Sequence, residues 1–394
     1  MKKLNISISI IGIGYVGLPL SLGLSKKFKV IAYDSNKRRI QSLLKNSDTN
    51  NEIRFKSNKN LQFTNNKADL INSNVFIITV PTPVDSNKNP NLKFINNATK
   101  LVSKYIKPNS LVIYESTVYP GLTEEHCVPL LEKHSNLKFI KDFNVGYSPE
   151  RINPGDRKNT LENITKVISA SNRFSLNRID QLYSSIIKAG TFKAGSIQIA
   201  EAAKVIENAQ RDINIAFINE LSIIFSNLNI DIYEVLKTAN TKWNFLDFKP
   251  GFVGGHCIGV DPYYLSYIAK KTGSFPNIIL AGRKINENMS KFFFTKIKQN
   301  LRLPKKKNKI LILGITFKEN INDYRNSKIV DLYNYFKKNN YLVDITDPMV
   351  IKSEVKSAYG INLTKYNKNI IKKYNVVIIA VKHNIFKEIN FQEF

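Results

Sequence analysis

The chain has 394 residues, 43% of them hydrophobic and 11% aromatic, with a formal charge of +28. That length exceeds one ordinary core and implies two or three domains of roughly 100–200 residues each. Two cysteines, Cys127 and Cys257, exclude a disulfide framework, and lysines spread along the whole chain, without any nucleic-acid motif, argue against a nucleic-acid partner. The charge supports a mildly attractive field for anionic ligands.

No run approaches the roughly 18–20 apolar residues of a membrane span. The apolar stretch at 6–13 is short and opens into a glycine pattern instead of a cleavage site. The expectation is a soluble, cytoplasmic protein with no membrane insertion.

Strands are predicted at 7–11, 30–33, 75–80, 111–114 and 144–147, with a helix at 15–26. This alternation argues for parallel βαβ units with helices on both faces. From Gly195 the texture changes. Ile199, Ala202, Ile206, Ala209, Ile213, Ala216 and Leu221 recur at helical spacing, with no Gly or Pro from 196 to 230. One long amphipathic spine helix is predicted there, followed by interrupted helix to about Leu301. The run 303–307 reads as a linker, and strands return at 309–313, 341–345 and 376–381. The fold expected is therefore α/β. A Rossmann-type domain covers 1–194, a central helical dimerisation and catalytic domain 195–303, and a Rossmann-like α/β domain 304–394.

Gly12-Ile13-Gly14-Tyr15-Val16-Gly17 follows the first strand and opens a helix. Gly12 permits the tight turn, Gly14 lets backbone approach a pyrophosphate, and Gly17 lets helix and strand pack closely. The helix N-terminus supplies N–H groups for that phosphate. Asp34, closing the second strand, stands where an acid accepts the ribose hydroxyls and repels a 2′-phosphate, which favours NAD over NADP. Lys37, Arg38 and Arg39 nearby weaken that exclusion. The C-terminal strand Leu311-Ile312-Leu313-Gly314 lacks a glycine triplet after it, which leaves that unit free for another phosphorylated ligand.

The segment from Gly251 to Pro262, Gly-Phe-Val-Gly-Gly-His-Cys-Ile-Gly-Val-Asp-Pro, surrounds Cys257 with glycines. Such backbone turns sharply and admits another molecule, and exposure at a helix N-terminus favours a reactive thiol over an inert one. Asp261 lies one turn on if a helix starts near the cysteine. His256 and Cys257 have no second ligand pair at suitable spacing, so no metal is expected. On the long helix, Lys204 and Asn208 share a face that Arg211 continues. By themselves these three are a solvated stripe or a site.

Taken together, these residues resemble the UDP-glucose/GDP-mannose dehydrogenase family, and most closely its branch acting on UDP-N-acetylhexosamines. The resemblance runs from Gly12 to about Phe386. It includes Thr79-Val80-Pro81-Thr82-Pro83, Tyr114-Glu115-Ser116-Thr117-Val118, Tyr147-Ser148-Pro149-Glu150-Arg151-Ile152-Asn153-Pro154-Gly155, Ala202-Ala203-Lys204-Val205-Ile206-Glu207-Asn208, the cysteine loop and Gly314-Ile315-Thr316-Phe317-Lys318. Lys242-Trp243-Asn244-Phe245 and the stretch after Glu150 point to the N-acetylhexosamine branch.

The resemblance implies oxidation of a sugar C6 alcohol to a carboxylate with two NAD⁺ and one water. Cys257 traps the aldehyde as a thiohemiacetal, which is oxidised to a thioester and hydrolysed. A thiol suits this as a strong nucleophile and good leaving group. Lys204 and Asn208 would stabilise the oxyanion, Asp261 would handle protons, and Glu150 and Thr117 would position or activate water. Expected cofactor contacts are Gly12, Gly14, Tyr15, Val16, Gly17, Asp34, Arg39, Pro81, Thr82, Thr117 and Arg325. Expected substrate contacts are Glu150, Arg151, Lys204, Asn208, Arg211, Phe252, Gly254, Gly255 and Lys318. Arg211 resembles a family arginine that reaches a dimer partner's substrate, which implies a homodimer on the long helix. Because the chain stops at Phe394, where relatives usually continue, the C-terminal sheet is expected to lack its edge strand.

Three alternatives compete. UDP-glucose is the rival substrate. A two-electron NAD dehydrogenase would not need Cys257. A non-catalytic nucleotide-sugar binder would not need the intact set Thr117, Glu150, Lys204, Asn208, Cys257 and Asp261.

Overall fold

The computed structural model describes residues 6–49, 53–152, 156, 158–301, 307–390 and 392. Residues 303–306 of the expected linker, and Asn153, Pro154 and Gly155, lie outside them. The chain divides into two compact units, Met1–Glu207 with Tyr263–Gly273, and Asn208–Pro262 with Ser274–Phe394.

The first unit is built on eight strands: β1 (Ser7–Ile11), β2 (Lys29–Tyr33), β3 (Leu61–Thr64), β4 (Val75–Ile78), β5 (Ser110–Tyr114), β6 (Phe143–Tyr147), β7 (Lys166–Ala170) and β8 (Thr191–Lys193). They form one sheet in the order β3-β2-β1-β4-β5-β6-β7-β8. Every neighbouring pair is parallel except β6 with β7. Helices α1 (Gly17–Ser25), α2 (Lys37–Leu44), α3 (Lys93–Ser103), α4 (Val128–Ser135) and α5 (Arg173–Ser184) alternate with the strands. Strands covered on both faces read as unbroken apolar runs; Val75-Phe76-Ile77-Ile78 is an example, at most 2% exposed. The five predicted strands are all present, and β3, β7 and β8 are additions. β8 has only three residues and a mostly exposed pattern, so it carries no apolar periodicity. The order of strands reverses between β1 and β4. In open α/β sheets ligands bind outside the carboxyl ends of the strands at that switch point.

Helix α6 (Ile197–Asn227) runs 31 residues, as the gap in Gly and Pro predicts. Its residues from Asn208 on belong to the second unit, with α7 (Ile232–Ala239) and α9 (Asn277–Asn300). Between α7 and α9 lies α8 (Asp261–Lys271), which the unit boundary crosses. A buried polar network locks α6 to α9. Arg283 Nη1 is 2.6 Å from Asp212 Oδ1, and the Asn286 amide donates to Asp212 while accepting from Asn219 Nδ2 at 2.8 Å. Strands β9 (Lys309–Leu313), β10 (Leu342–Thr346) and β11 (Val376–Ile379) form a parallel sheet in the order β10-β9-β11. It is joined by α10 (Lys328–Lys338) and α11 (Lys352–Tyr359). Its core gathers Ile310, Ile312, Ile345 and Leu332 around Phe294 and Phe336, whose rings meet edge-on.

Candidate active site

The dinucleotide loop leaves β1 and enters α1 as the glycine spacing predicts. Gly12 has φ +98°, and a Cβ on Gly17 would stand 2.0 Å from the Gly12 carbonyl oxygen. At Gly14, by contrast, a Cβ would meet nothing within 4 Å, so the backbone is open on the side where a pyrophosphate approaches. Val16 and Tyr15 complete the turn, and no side chain caps α1. Asp34 sits at the end of β2, where its Oδ2 accepts from Ile13 N and its Oδ1 from Asn36 N, both at 2.8 Å. This cradle fits an adenosine dinucleotide. Arg39 is buried instead of facing solvent. Its Nε donates to the Ile13 carbonyl and its Nη1 pairs with Asp48 at 2.6 Å, so the guanidinium braces the loop from behind.

The other expected residues of this unit follow carboxyl ends of neighbouring strands. Pro81 and Thr82 follow β4, and the Thr82 carbonyl accepts from Tyr264 Oη at 2.9 Å. Thr117 follows β5 and Glu150 follows β6. Arg151 pairs with Glu207 at 2.9 Å and donates to the Thr165 carbonyl. Lys204 is buried on α6.

Glu150 has a setting that its sequence neighbours did not reveal. Lys166 Nζ lies between two buried carboxylates, 2.7 Å from Glu150 Oε2 and 2.9 Å from Glu115 Oε2. Tyr183 Oη donates to the other Glu115 oxygen. Burial works to raise both carboxyl pKa values. Lys166, together with the Arg151 and Ile152 amides, overcomes that for Glu150 and holds it below the usual range, whereas Glu115 stays raised. Sequence reading quoted Glu115 within a motif and missed Lys166. The available signal was a lysine opening the apolar run Val167-Ile168.

In the second unit, Cys257 lies in a turn that becomes α8. Its carbonyl accepts from Val260 N at 3.0 Å and from Asp261 N at 2.8 Å, so the cysteine stands one turn before the helix start. Asp261 is buried and accepts from Asn208 Nδ2 at 2.5 Å, joining two of the expected residues. Cys257 is half-buried. Cys127 is fully buried, and that burial pushes its thiol up to about 12, which leaves it protonated and inert at neutral pH. Arg211 is exposed on α6. Arg325 turns onto Asp323, with Nε 2.9 Å and Nη2 2.6 Å from its two oxygens.

A cavity of about 470 Å³ opens beside the carboxyl ends of β9 and β11. Phe252, Gly254 and Lys318 line it with Lys328, Lys382 and Lys387, four lysines around one space. Gly255 has φ +78° and packs on the Phe317 ring, where a Cβ would come within 2.9 Å. Such a chamber suits a phosphorylated ligand.

Residues 6–187 match the NAD binding domain of the UDP-glucose/GDP-mannose dehydrogenase family, 198–288 its central domain and 311–394 its UDP binding domain. The chain belongs to this family. It is thus an NAD-dependent oxidoreductase of nucleotide sugars, and the sequence expectation of family, α/β fold and cofactor holds. Protein CapL of Staphylococcus aureus is 48% identical over 98% of this chain and 92% of its own length. A Pseudomonas aeruginosa protein named UDP-N-acetyl-D-glucosamine 6-dehydrogenase is 47% identical over 97% of this chain and 92% of its own. Among solved structures, the UDP-D-ManNAc dehydrogenase of Pyrococcus horikoshii superposes with a TM-score of 0.84 at 29% identity, covering 98% of this chain and 92% of that one. Among the described residues, no helix is long and apolar enough to cross a membrane.

Proposed function

We propose that the chain oxidises the C6 alcohol of a UDP-N-acetylhexosamine, UDP-N-acetylglucosamine first, to the uronic acid in a four-electron reaction. The observation that carries the substrate is 47% identity over nearly the whole chain to two relatives named UDP-N-acetyl-D-glucosamine 6-dehydrogenase, from Pseudomonas aeruginosa and Salmonella typhi. The balance is R–CH₂OH + 2 NAD⁺ + H₂O giving R–COO⁻ + 2 NADH + 3 H⁺. NAD, when bound on the glycine loop, accepts the hydride in each oxidation.

The first oxidation leaves an aldehyde, and the Cys257 sulfur adds to its carbonyl carbon to give a thiohemiacetal. Oxidation of that adduct makes a thioester, and water then breaks the C–S bond and returns the thiol. Lys204 and Asn208 stabilise the oxyanion, each such donor being worth roughly 3–4 kcal/mol. The short bond from Asn208 to Asp261 supports a shared role, with Asp261 moving protons. Glu150, kept ionised by Lys166, is suited to orient the hydrolytic water together with Thr117. Arg151, Phe252, Gly254, Gly255 and Lys318 hold the nucleotide sugar. Arg39 and Arg325 are the further cofactor contacts, and Arg39 also braces the glycine loop through the Ile13 carbonyl.

The working form is a cytoplasmic homodimer built on α6, where Arg211 serves the partner's substrate. Ile199, Ile206, Phe217 and Ile224 are all at least 46% exposed along that helix, an apolar stripe that favours a second copy.

The deciding experiment incubates the protein with UDP-GlcNAc, UDP-GalNAc and UDP-glucose and counts NADH per sugar consumed. A ratio near two with UDP-GlcNAc is expected. In Cys257→Ser the uronic acid should not form while NAD still binds. An unchanged NADH yield in that variant would sink the thioester route.

A further inference from the structure

The chain makes the same glycine turn twice. Gly12 has φ +98° and its N–H donates to the Tyr33 carbonyl, while Asp34 accepts from Ile13 N and Asn36 N. Gly314 has φ +96° and donates to the Thr346 carbonyl, while Asp347 accepts from Ile315 N at 2.7 Å and from Met349 N at 2.8 Å. On the second turn an imidazole joins the acid. His383 Nε2 stands 3.1 Å from Asp347 Oδ2 and 3.1 Å from Thr316 Oγ1, and the His383 and Asp347 side chains are wholly buried. Asn320 N donates to His383 Nδ1 at 2.9 Å, so the ring proton sits on Nε2 and is shared by Asp347 and Thr316.

These bonds tie the segments that follow β9, β10 and β11 together. The Thr316 hydroxyl passes the link on by donating to the Lys318 carbonyl at 2.8 Å. Asn320 takes the left-handed conformation, φ +60°, and is held there from two sides. The His383 ring accepts its N–H, and Asn384 N donates to its Oδ1 at 2.9 Å. Residues 316–320 line the lysine-ringed cavity, and so do Lys382 and Asn384, the chain neighbours of His383.

We propose that His383 is a positioning residue for the diphosphate of the nucleotide sugar, stapling the 316–320 loop to the 382–384 turn so that Lys318 and Lys382 converge on it. This rests on the reading that Lys318 holds the nucleotide sugar. A lysine brings charge on a flexible stem, so its direction comes from the backbone that carries it. A backbone fixed beforehand spares the ordering cost that binding would otherwise meet. Both ring nitrogens are engaged by the protein, so His383 acts through the loop and not on the ligand.

The test titrates UDP into the full-length protein by calorimetry, with NAD titrated separately as a check on folding. Once the Asn320 N–H loses its acceptor, His383→Ala should bind UDP about tenfold more weakly and NAD within about twofold of wild type. His383→Asn, whose Oδ1 replaces Nδ1 as acceptor of that N–H, should recover part of the loss. Residues of one network couple, so in a Lys318→Ala background His383→Ala should weaken UDP by less than about threefold more. A histidine that only fills the core would cost the same factor in both backgrounds. That equal factor, or UDP affinity in His383→Ala within about twofold of wild type, would overturn the staple. If His383→Ala also loses NAD, it has misfolded and Thr316→Val decides. That variant removes only the hydroxyl between the ring and the Lys318 carbonyl and should weaken UDP about threefold, an unchanged affinity overturning the proposal. Lys318→Ala binding UDP as wild type does would remove the ligand reading itself and the staple with it, whereas a failure confined to His383 leaves that reading standing.

Discussion

Lys166→Met puts the buried Glu115–Lys166–Glu150 cluster to its hardest test. The lysine side chain is 4% exposed and its partners 0% and 8%, so water cannot replace the cation once it is gone. Breaking a buried ion pair by removing one partner costs roughly 3–5 kcal/mol. For a unit of about 200 residues, each kcal/mol moves Tm by roughly 2–4 °C, so the melting point should fall by about 6–20 °C. The sign with pH follows from which form the site then prefers. Without Lys166, both carboxyl groups acquire pKa values above their unfolded values. Such groups contribute stability at low pH that is lost as pH rises through the folded-state pKa. The variant should therefore recover much of its Tm at pH 5 relative to pH 8, while the wild type shows the smaller difference. Scanning calorimetry at both pH values checks this, with Lys166→Arg as a control that keeps the charge and most of the Tm. A Lys166→Met protein melting within 2 °C of wild type at pH 8 would refute the view that this cation neutralises the site.

The glycine loop separates packing from ligand approach. Gly17→Ala must displace the Gly12 carbonyl, so it should lower both Tm and NAD affinity, the latter more than tenfold by titration calorimetry. Gly14→Ala has open space and should leave Tm within about 1 °C while still weakening NAD; a large Tm loss there would count against the open cradle. Glu287 in α9 would be pushed up by burial alone, but the hydrogen bond and charge of Lys328 and the charge of Arg283 hold it down at about 2. Its contribution is present above the unfolded pKa and lost as pH falls towards 2, on the order of 1–2 kcal/mol after solvent screening of a side chain 30% exposed. Glu287→Gln should lower the urea midpoint at pH 7, with the gap to wild type narrowing as pH falls from about 4.5 towards 2; parallel curves would contradict this.

Local chemistry was legible in the chain. The turn Gly12–Gly17 with Asp34 behind it, the unbroken α6 and the glycine-framed Cys257 each depend on neighbours within a few residues or on one periodicity, and each stands where the sequence put it. Strand β7 was not legible, since its order beside β6 and its antiparallel direction arise from pairing across the sheet. The acidic partners of two arginines were not legible either: Arg39 pairs with Asp48 and Arg325 with Asp323.

The sequence alone determined the family-defining motifs and the α/β alternation, because covalent neighbours and helical or strand periods carry that information. Only the tertiary structure decided what each charge faces. Glu115 and Lys166 are 51 residues apart. No local rule joins such positions. They meet because burying strands and helices forces those side chains into one place, where each charge is stable only if another neutralises it.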